Sequence, residues 1–301
     1  MTRLTIATFL SLLVTGCGGG ATEVATDATG IVSIDITDAA VDDVKEVWVE
    51  FNQISLKHSG GEEIVRTFEP AKSINLLELQ NGKTEALLSN TSVPVGEYNW
   101  MRIGVNAELD NVFDSYVLTN TDNQIELFVP SGSQTGLKLQ SGFTVTQNMS
   151  TNLVIDWDLR KALHEPLGQP GMHLRPALRV TDMAVYGTLA GSVDADLTTA
   201  DGCGDDAAVG NAVYIYVGEV TEPADIRGAD TDPLVTASVG DDLVYSVTFL
   251  SEGEYTAAFT CQAELDDSEA EDEIQFAVVT TMILINDGVT TTVDFAPPPP
   301  S

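Results

Sequence analysis

Five aspartates and two glycines lie within one short stretch of the chain, and their chemistry is that of a calcium site. The carboxylates are those of Asp194, Asp196, Asp201, Asp205 and Asp206. Ca²⁺ takes six to eight oxygen ligands, which flexible aspartate-rich loops can supply. The spacing differs from that of an EF-hand, which places acids at positions one, three and five and glycine at six. Two interpretations stay open: a calcium-binding loop of another kind, or a solvated acidic loop without an ion.

Two of the three histidines offer a second metal-binding chemistry. His164, followed by Glu165, and His173 share a proline- and glycine-rich connection between predicted strands that end near Leu159 and begin at Leu174. Imidazole and carboxylate groups are ligands of zinc. The alternative is that both histidines lie in an irregular loop. Two further acidic runs, 225–232 and 266–273, follow later in the chain, and the second is typical of a solvated hairpin tip.

No catalytic motif accompanies these residues. The sequence has no GxSxG elbow, no HExxH helix, no P-loop and no GxGxxG before a helix. An enzyme needs a nucleophile with its base, a metal cage or a cofactor cradle. We therefore expect no enzymatic activity and no cofactor, apart from calcium at the acidic loop. A hydrolase whose catalytic groups converge from distant loops stays an alternative.

The first residues have the three parts of an export signal. Arg3 provides a basic start, an apolar run extends from Leu4 to Val14, and small residues precede a cleavage site. A membrane-spanning helix needs about 20 apolar residues, so this run is too short to span permanently. The segment therefore predicts export of the chain.

Val14-Thr15-Gly16-Cys17 resembles the lipobox of bacterial lipoproteins. The resemblance implies cleavage before Cys17 and acylation of its sulfur and new amine, which would anchor the mature chain in a membrane. Gly18 stands where aspartate favours inner-membrane retention in lipoproteins, which implies the outer membrane, on its periplasmic or surface face. The alternative is an ordinary signal peptide with an incidental cysteine.

If Cys17 carries lipid, two cysteines remain for a disulfide. Exported proteins fold in an oxidising compartment, where disulfides persist. Cys261 ends the predicted strand Tyr255–Cys261, and Cys203 lies in the acidic loop. We predict that Cys203 and Cys261 are paired.

The charge of the chain limits its partners. It has 13 lysines and arginines against 46 aspartates and glutamates, a formal net charge of −33. A field of that sign repels nucleic acid and anionic lipid, so we expect no nucleic-acid partner. With 301 residues and 43% hydrophobic content, the chain is long enough for two cores.

Period-two alternation predicts strands from Gly30 onward. Val32, Ile34 and Ile36 alternate with polar residues, which is typical of a half-buried strand. In the next strand the alternation shifts phase near Asn52-Gln53, which predicts a β-bulge. Further strands are predicted at 101–109, 125–129, 143–145, 153–159 and 174–180, and one short helical segment at 84–89.

The first half of the chain resembles a known family. The segments that carry the likeness are 30–39, 44–56, Gly96-Glu97-Tyr98 and 174–180. They are similar to an uncharacterised family of bacterial lipoprotein domains, the domain-of-unknown-function family four-three-eight-two. The match covers roughly residues 29–183 and departs from the family at Ala40, where proline is usual. The resemblance implies fold and export but no activity.

A second set of strands begins near Gly187. They are predicted at 189–193, 213–217, 243–249, 255–261, 274–280 and 289–295. The segment 250–255 repeats the turn-plus-tyrosine pattern of 93–98 and is similar to that of prealbumin-like and carboxypeptidase-regulatory-like sandwiches. In those folds the tyrosine ring packs against the core.

Together these observations predict an all-β protein with two consecutive antiparallel β-sandwich-like domains behind a lipoprotein signal peptide. The expected boundaries are a signal peptide at 1–16, a flexible tether at 17–29, sandwiches at 30–183 and 184–296, and a proline-rich tail at 297–301. Glycine-rich polar segments behave as flexible linkers.

The functional hypothesis is a membrane-anchored, non-catalytic binding or adhesion module of the cell envelope, with a protein or glycan partner. Trp48, between Val47 and Val49, and Trp100 are candidates for an exposed aromatic surface. The competing interpretation is that these rings cover a sheet or a domain interface. The alternative functions are a purely structural envelope scaffold, a calcium-dependent binding protein, or an uncharacterised hydrolase.

Overall fold

The computed structural model describes residues 28–39, 44–129, 136–166, 168, 170–200, 202–203 and 210–298. These residues form four sheets and only short helices, so the all-β prediction is confirmed. The predicted signal peptide, Cys17 and nearly all of the tether lie outside the described residues. No helix within the described part of the chain has the length and apolar character needed to cross a membrane.

Residues before 183 form a sandwich of two sheets, the first sandwich. The small sheet contains β1 (Thr29–Ala39), β4 (Glu85–Pro94), β10 (Ser150–Asp158) and β13 (Leu178–Asp182). The large sheet contains β2 (Val44–His58), β3 (Glu63–Asn75), β5 (Gly96–Asn106), β6 (Tyr116–Thr119), β7 (Gln124–Phe128), β8 (Leu137–Leu139), β9 (Phe143–Val145), β11 (Leu163–His164) and β12 (Met172–Leu174). The strand orders are β13-β10-β1-β4 and β11-β12-β7-β6-β2-β5-β8, with β3 beside β2 and β9 beside β5.

Residues from 187 onward form a second sandwich with its own core. One sheet contains β14 (Gly187–Ser192), β17 (Val244–Leu250) and β20 (Thr290–Thr292), in the order β17-β14-β20. The other contains β15 (Ala212–Val217), β16 (Val235–Ser238), β18 (Gly253–Thr260) and β19 (Val278–Ile285), in the order β16-β15-β18-β19. Short helices are α1 (Leu159–Ala162), α2 (Ala195–Thr198) and 3-10 turns at Leu76–Leu79 and Ala263–Leu265.

Most strand pairs are antiparallel, as predicted. In each sandwich, however, the first strand pairs in parallel with a strand from near the end of that sandwich. In the first sandwich β1 runs parallel to β10, with Ile34 opposite Leu153. In the second, β14 runs parallel to β20, with Leu189 opposite Thr291. The first strand of each sandwich is therefore held by a strand from much later in the sequence.

The apolar alternation places the core as predicted. Val32, Ile34 and Ile36 are fully buried, and Ser33 and Asp35 between them are partly exposed. Thr37, the next polar residue, is buried, and its hydroxyl donates to the carbonyl oxygen of Leu79 at 2.9 Å. The register of β2 shifts between Phe51 and Gln53 against both neighbouring strands, so the predicted bulge is confirmed. The extra residue restores the inward direction for the apolar positions that follow it.

Two local predictions are wrong. Residues 84–89 form no helix: Glu85–Pro94 is strand β4, because pairing with β1 overrides weak helical preference. Residues 174–180 form no continuous strand, since Pro176 separates β12 from β13 and the two strands join different sheets. Proline lacks the N–H that a ladder requires.

The repeated turn-plus-tyrosine pattern makes the same structure in both sandwiches. The Tyr98 hydroxyl donates to the carbonyl oxygen of Pro94 at 2.8 Å, and the Tyr255 hydroxyl to that of Ser251 at 2.9 Å. Each bond reaches back four residues, and both rings are buried in their cores. The predicted placement of these rings is confirmed. The pattern resembles the tyrosine corner of immunoglobulin-like sandwiches.

Basic side chains of the first sandwich hold the second. Arg160 donates to the carbonyl oxygen of Ala263 at 3.0 Å, and Arg179 to that of Phe249 at 2.8 Å. Lys161 donates to the carbonyl oxygen of Leu234 at 3.2 Å. Residues 187–301 contain 23 acidic side chains and a single basic one, Arg227. The contact therefore brings cations to the more acidic part of the chain.

Candidate functional site

The predicted calcium loop is described only in part. Asp194 caps the first turn of α2, where its carboxylate accepts the N–H of Asp196 at 3.0 Å. Asp201, Asp205 and Asp206 lie outside the described residues. Calcium binding at this loop therefore stays a prediction.

The structure contains the predicted disulfide between Cys203 and Cys261. Their Cα atoms are 5.3 Å apart, and 58 positions separate them in sequence. Cys261 directly follows β18 and is buried in the second core. The bond links the connection after α2 to the end of β18, one of the two inner strands of its sheet.

The other two acidic runs meet each other in space. One carboxylate oxygen from each of Asp225, Asp266 and Asp272 lies within 4.8 Å of the others. The Tyr214 hydroxyl donates to Asp266 at 2.6 Å, and the N–H of Ile226 donates to the same carboxylate at 3.2 Å. The interpretation of 266–273 as a solvated hairpin tip missed this cluster, because local sequence does not reveal contacts between loops some 40 residues apart. The chain's own donors already bind these oxygens.

Burial shapes the electrostatics of this cluster. It raises the pKa of Asp266 to about 6, against the lowering effect of its hydrogen bonds from Tyr214 and Ile226. Burial also raises the pKa of Tyr214, so its hydroxyl keeps its proton and acts as the donor. Asp266 therefore carries a cost of ionisation in the folded state at neutral pH.

Replacing Asp266 with asparagine is expected to stabilise the protein at pH 7 by about 1–2 kcal/mol. The carboxyl titrates near 6 when folded and near 3.9 when unfolded, so its favourable contribution is complete below about pH 4 and is lost as pH rises through 6. The difference corresponds to about 3 kcal/mol at most, and partial exposure screens it. Asparagine keeps an oxygen acceptor for Tyr214 and Ile226.

Urea unfolding of the two proteins at about pH 4, 5 and 7 measures this effect. We expect the stability of D266N to exceed that of wild type at pH 7 and the gap to close by pH 4. A variant less stable than wild type at pH 7 would contradict the prediction.

The two loop histidines are brought together by the sheet. His164 and His173 are register partners on β11 and β12, and their ring centroids are 6.2 Å apart. Glu269, from the second sandwich, places Oε2 2.7 Å from His164 Nε2 and pairs its other oxygen with Arg175. Burial, followed by the charge of His164, lowers the pKa of His173. The carboxylate beside His164 is that of Glu269 rather than that of Glu165, the residue considered with the histidines in the sequence.

An aromatic pair occupies the outer face of the large sheet. Trp48 stacks on Tyr116, with ring centroids 6.3 Å apart and planes inclined by 23°. Val47 and Val49 are fully buried, so Trp48 faces away from the core, as predicted. Both rings are partly exposed, and the Trp48 Nε1–H donates to Glu46 at 2.6 Å.

An apolar loop leads into Tyr116 from the preceding strand. Between β5 and β6, Leu109, Val112 and Phe113 are 36%, 52% and 44% exposed. Ser115, at the end of the loop, accepts the N–H of Glu50 at 2.9 Å, two residues from Trp48 in the same strand. We call the exposed rings and apolar side chains together the Trp48 surface. Its members are Trp48, Leu109, Val112, Phe113 and Tyr116.

Trp100 lies in a different environment on the same sheet. The Arg102 guanidinium is 4.7 Å and the Lys138 ammonium 5.1 Å from its ring centroid. Cations within about 6 Å of an indole are attracted to its face. The Trp100 ring is therefore contacted by two cationic side chains of the protein, whereas Trp48 stacks on another aromatic ring.

A cleft of about 560 Å³ lies where the two sandwiches meet, between β8, β13 and residues 234–235. Its charged groups bind one another. Arg179 pairs with Asp156 at 2.5 Å, and the Lys161 ammonium is 3.9 Å from Asp158. Burial is the largest influence on the pKa of Asp158, and it raises that pKa. Among its described lining residues, no nucleophile is paired with a base.

The comparison with known families concerns the first sandwich. A family described as "Domain of unknown function (DUF4382)" matches residues 29–176. That segment belongs to this family, as its resemblance to the family predicts. No curated protein matches the chain.

Alignments with solved structures are remote. The Bacillus anthracis TIE protein is 12% identical over 89% of this chain, with a TM-score of 0.20. The minor pilin GBS52 of Streptococcus agalactiae is 11% identical over 89% of this chain and 98% of its own, with a TM-score of 0.20. The shaft pilin SpaA of Lactobacillus rhamnosus GG is 9% identical over 90% of this chain and 99% of its own, with a TM-score of 0.24.

This chain covers 34% of the TIE protein and 26% of a leucine-rich repeat protein from Bacteroides thetaiotaomicron. Scores this low do not establish a shared fold, so the proposals below rest on the chain's own residues.

Proposed function

We propose that this protein is a non-catalytic binding module of the cell envelope that contacts its partner through the Trp48 surface. The observation that carries the proposal is the Trp48–Tyr116 stack, partly exposed on the outer face of the large sheet. Stacked aromatic rings offer large contact area at low entropic cost, which favours them at binding surfaces.

The neighbouring side chains support a partner that combines apolar and polar groups. Phe113 and Val112, in the loop that leads into Tyr116, are exposed apolar side chains. Asn106 donates to Glu50 at 2.5 Å, and Asn52 donates to Asn106, so amides and a carboxylate border the same face. Aromatic faces flanked by such groups suit a glycan or a peptide. Anionic partners are disfavoured by the net charge of −33.

The anchor is a second part of the proposal. It is supported by the lipobox-like sequence that ends at Cys17 and by Gly18 after it, which favour the outer membrane. Protease treatment of intact cells, followed by immunoblotting for the part beyond Gly187, tests the orientation. Loss of the signal without lysis would favour an external partner. Protection until the envelope is opened would favour a periplasmic one.

Replacing Trp48 and Tyr116 with alanine is expected to reduce binding at least tenfold. The probes are immobilised cellulose, chitin and collagen, and the measurement is the retained fraction of purified protein. Loss of a central aromatic residue costs about 2 kcal/mol or more at binding surfaces, which corresponds to this factor.

The matched control is Trp100→Ala, which removes an aromatic ring elsewhere on the same sheet. We expect W100A to bind like wild type. Equal binding by W48A/Y116A would contradict the assignment of the surface. Failure of wild type to bind any probe would favour the scaffold alternative.

A further inference from the structure

We propose that His164, His173 and Glu269 form a binding site for a transition-metal dication of the zinc class, which joins the two sandwiches. The site goes beyond the proposed function and does not depend on it. Two imidazoles and one carboxylate, with a water in the fourth position, are a known zinc ligand set.

The sheet positions both imidazoles on one side. His164 and His173 are directly opposite in an antiparallel pair, where the Cβ atoms of partners lie about 4.5–5.5 Å apart and share a face. Strand β12 is held in turn by parallel pairing with β7, which places Phe128 opposite His173. With Zn–N bonds of about 2.0–2.1 Å, two imidazoles on one ion have centroids roughly 5 Å apart. The observed centroids are 6.2 Å apart, and the ligand atoms of His164, His173 and Glu269 do not all lie within 4.8 Å of one another, so the proposed ion would draw the His173 ring toward the other two groups.

The Glu269 carboxylate is held in place by Arg175 and His164. Glu269 Oε1 pairs with the guanidinium of Arg175, and Oε2 lies 2.7 Å from His164 Nε2. A metal ion would replace the proton shared between that nitrogen and oxygen, and the two atoms would separate by about half an ångström. Arg175 would then act as the outer partner that fixes a ligating carboxylate.

His173 supplies a further observation that points to a ligand. Its Nε2 is buried and has no hydrogen-bond partner among the described residues. Buried polar atoms are nearly always paired, and an unpaired one calls for a water or an ion. A metal bound between the histidines would satisfy this nitrogen.

Zinc titration of the full chain, freed of metal with a chelator, tests the proposal. We expect one zinc per chain by calorimetry and a rise in thermal midpoint, because an ion that binds only the folded state stabilises it. H164Q and H173Q should each weaken binding at least 100-fold. E269Q should weaken it at least tenfold.

His58→Gln is the matched control, because it removes the third histidine while leaving the pair intact. It should bind zinc like wild type. Retained affinity in the H164Q/H173Q double variant would overturn the proposal and assign the zinc to carboxylates. Absence of binding to wild type up to about 1 mM zinc would also overturn it.

A spectroscopic measurement keeps the test valid if a variant fails to fold. Trp157 Nε1 donates to the carbonyl oxygen of Arg175 at 3.0 Å. A change in the tryptophan fluorescence of the wild-type protein on zinc addition would therefore report on the site without any variant. Cobalt substitution should give the visible bands of a tetrahedral ion with nitrogen ligands. Bands typical of an all-oxygen octahedral site would contradict the assignment.

Discussion

Removing the disulfide between Cys203 and Cys261 is expected to lower the stability of the second sandwich by about 4 kcal/mol. The bond spans 58 positions, and closing a loop of that length restricts the unfolded chain by about this free energy. Cys261 is also buried in the second core, so alanine at that position leaves some packing unfilled.

Two optical signals separate this effect from the first sandwich. All three tryptophans, at 48, 100 and 157, lie in the first sandwich, so their fluorescence follows that part alone. Circular dichroism follows both. We expect urea unfolding by circular dichroism to begin at lower denaturant in the variant, while the tryptophan transition moves less. Wild type with its disulfide reduced is the control and should match the variant; a change below about 1 kcal/mol would show that the bond constrains little.

Replacing Trp157 with alanine is expected to cost the first sandwich about 3–5 kcal/mol. The side chain is fully buried and packs on Phe51, with ring centroids 6.4 Å apart. Truncating a fully buried tryptophan to alanine leaves a large cavity, and such substitutions in protein cores cost about 3–5 kcal/mol. The change also removes the donor to the carbonyl oxygen of Arg175, 3.0 Å away in the wild type.

Trp157→Phe separates packing from the hydrogen bond. It keeps most of the ring volume and loses the donor, so we expect a cost of about 1–2 kcal/mol. Trp100→Ala, at a partly exposed ring, should change stability by less than about 1 kcal/mol. Urea unfolding measures all three, and an equal cost for W100A and W157A would contradict the account of the core.

The features that sequence predicts correctly here are those set by neighbouring residues. Alternation locates Val32, Ile34 and Ile36 in the core, and its change of phase locates the bulge after Phe51. The turn before Tyr98 is likewise local. By contrast, strand order and the parallel pairing of β1 with β10 depend on contacts across more than a hundred residues, which periodicity does not encode.

The same distinction applies to the sites. The sequence brings His164 and His173 into one connection, but Glu269 reaches them only because the two sandwiches meet. No single acidic run contains the whole aspartate cluster: Asp225 lies in the first run, and Asp266 and Asp272 lie in the second. For Trp48, alternation gives the correct face, and the sheet then adds Tyr116 as its stacking partner. At each site, contacts between residues distant in sequence determine which side chains meet.

The parallel closure of the second sandwich has a mechanical consequence. Its first strand, β14, and its last, β20, run side by side in the same direction. Tension applied between the two ends of the sandwich pulls these strands past each other along their length. The hydrogen bonds from Thr188 to Val289, Val293 to Ala190 and Phe295 to Ser192 then bear the load simultaneously, instead of breaking one after another as in a peeled hairpin. This arrangement makes the second sandwich resistant to stretching along its chain ends.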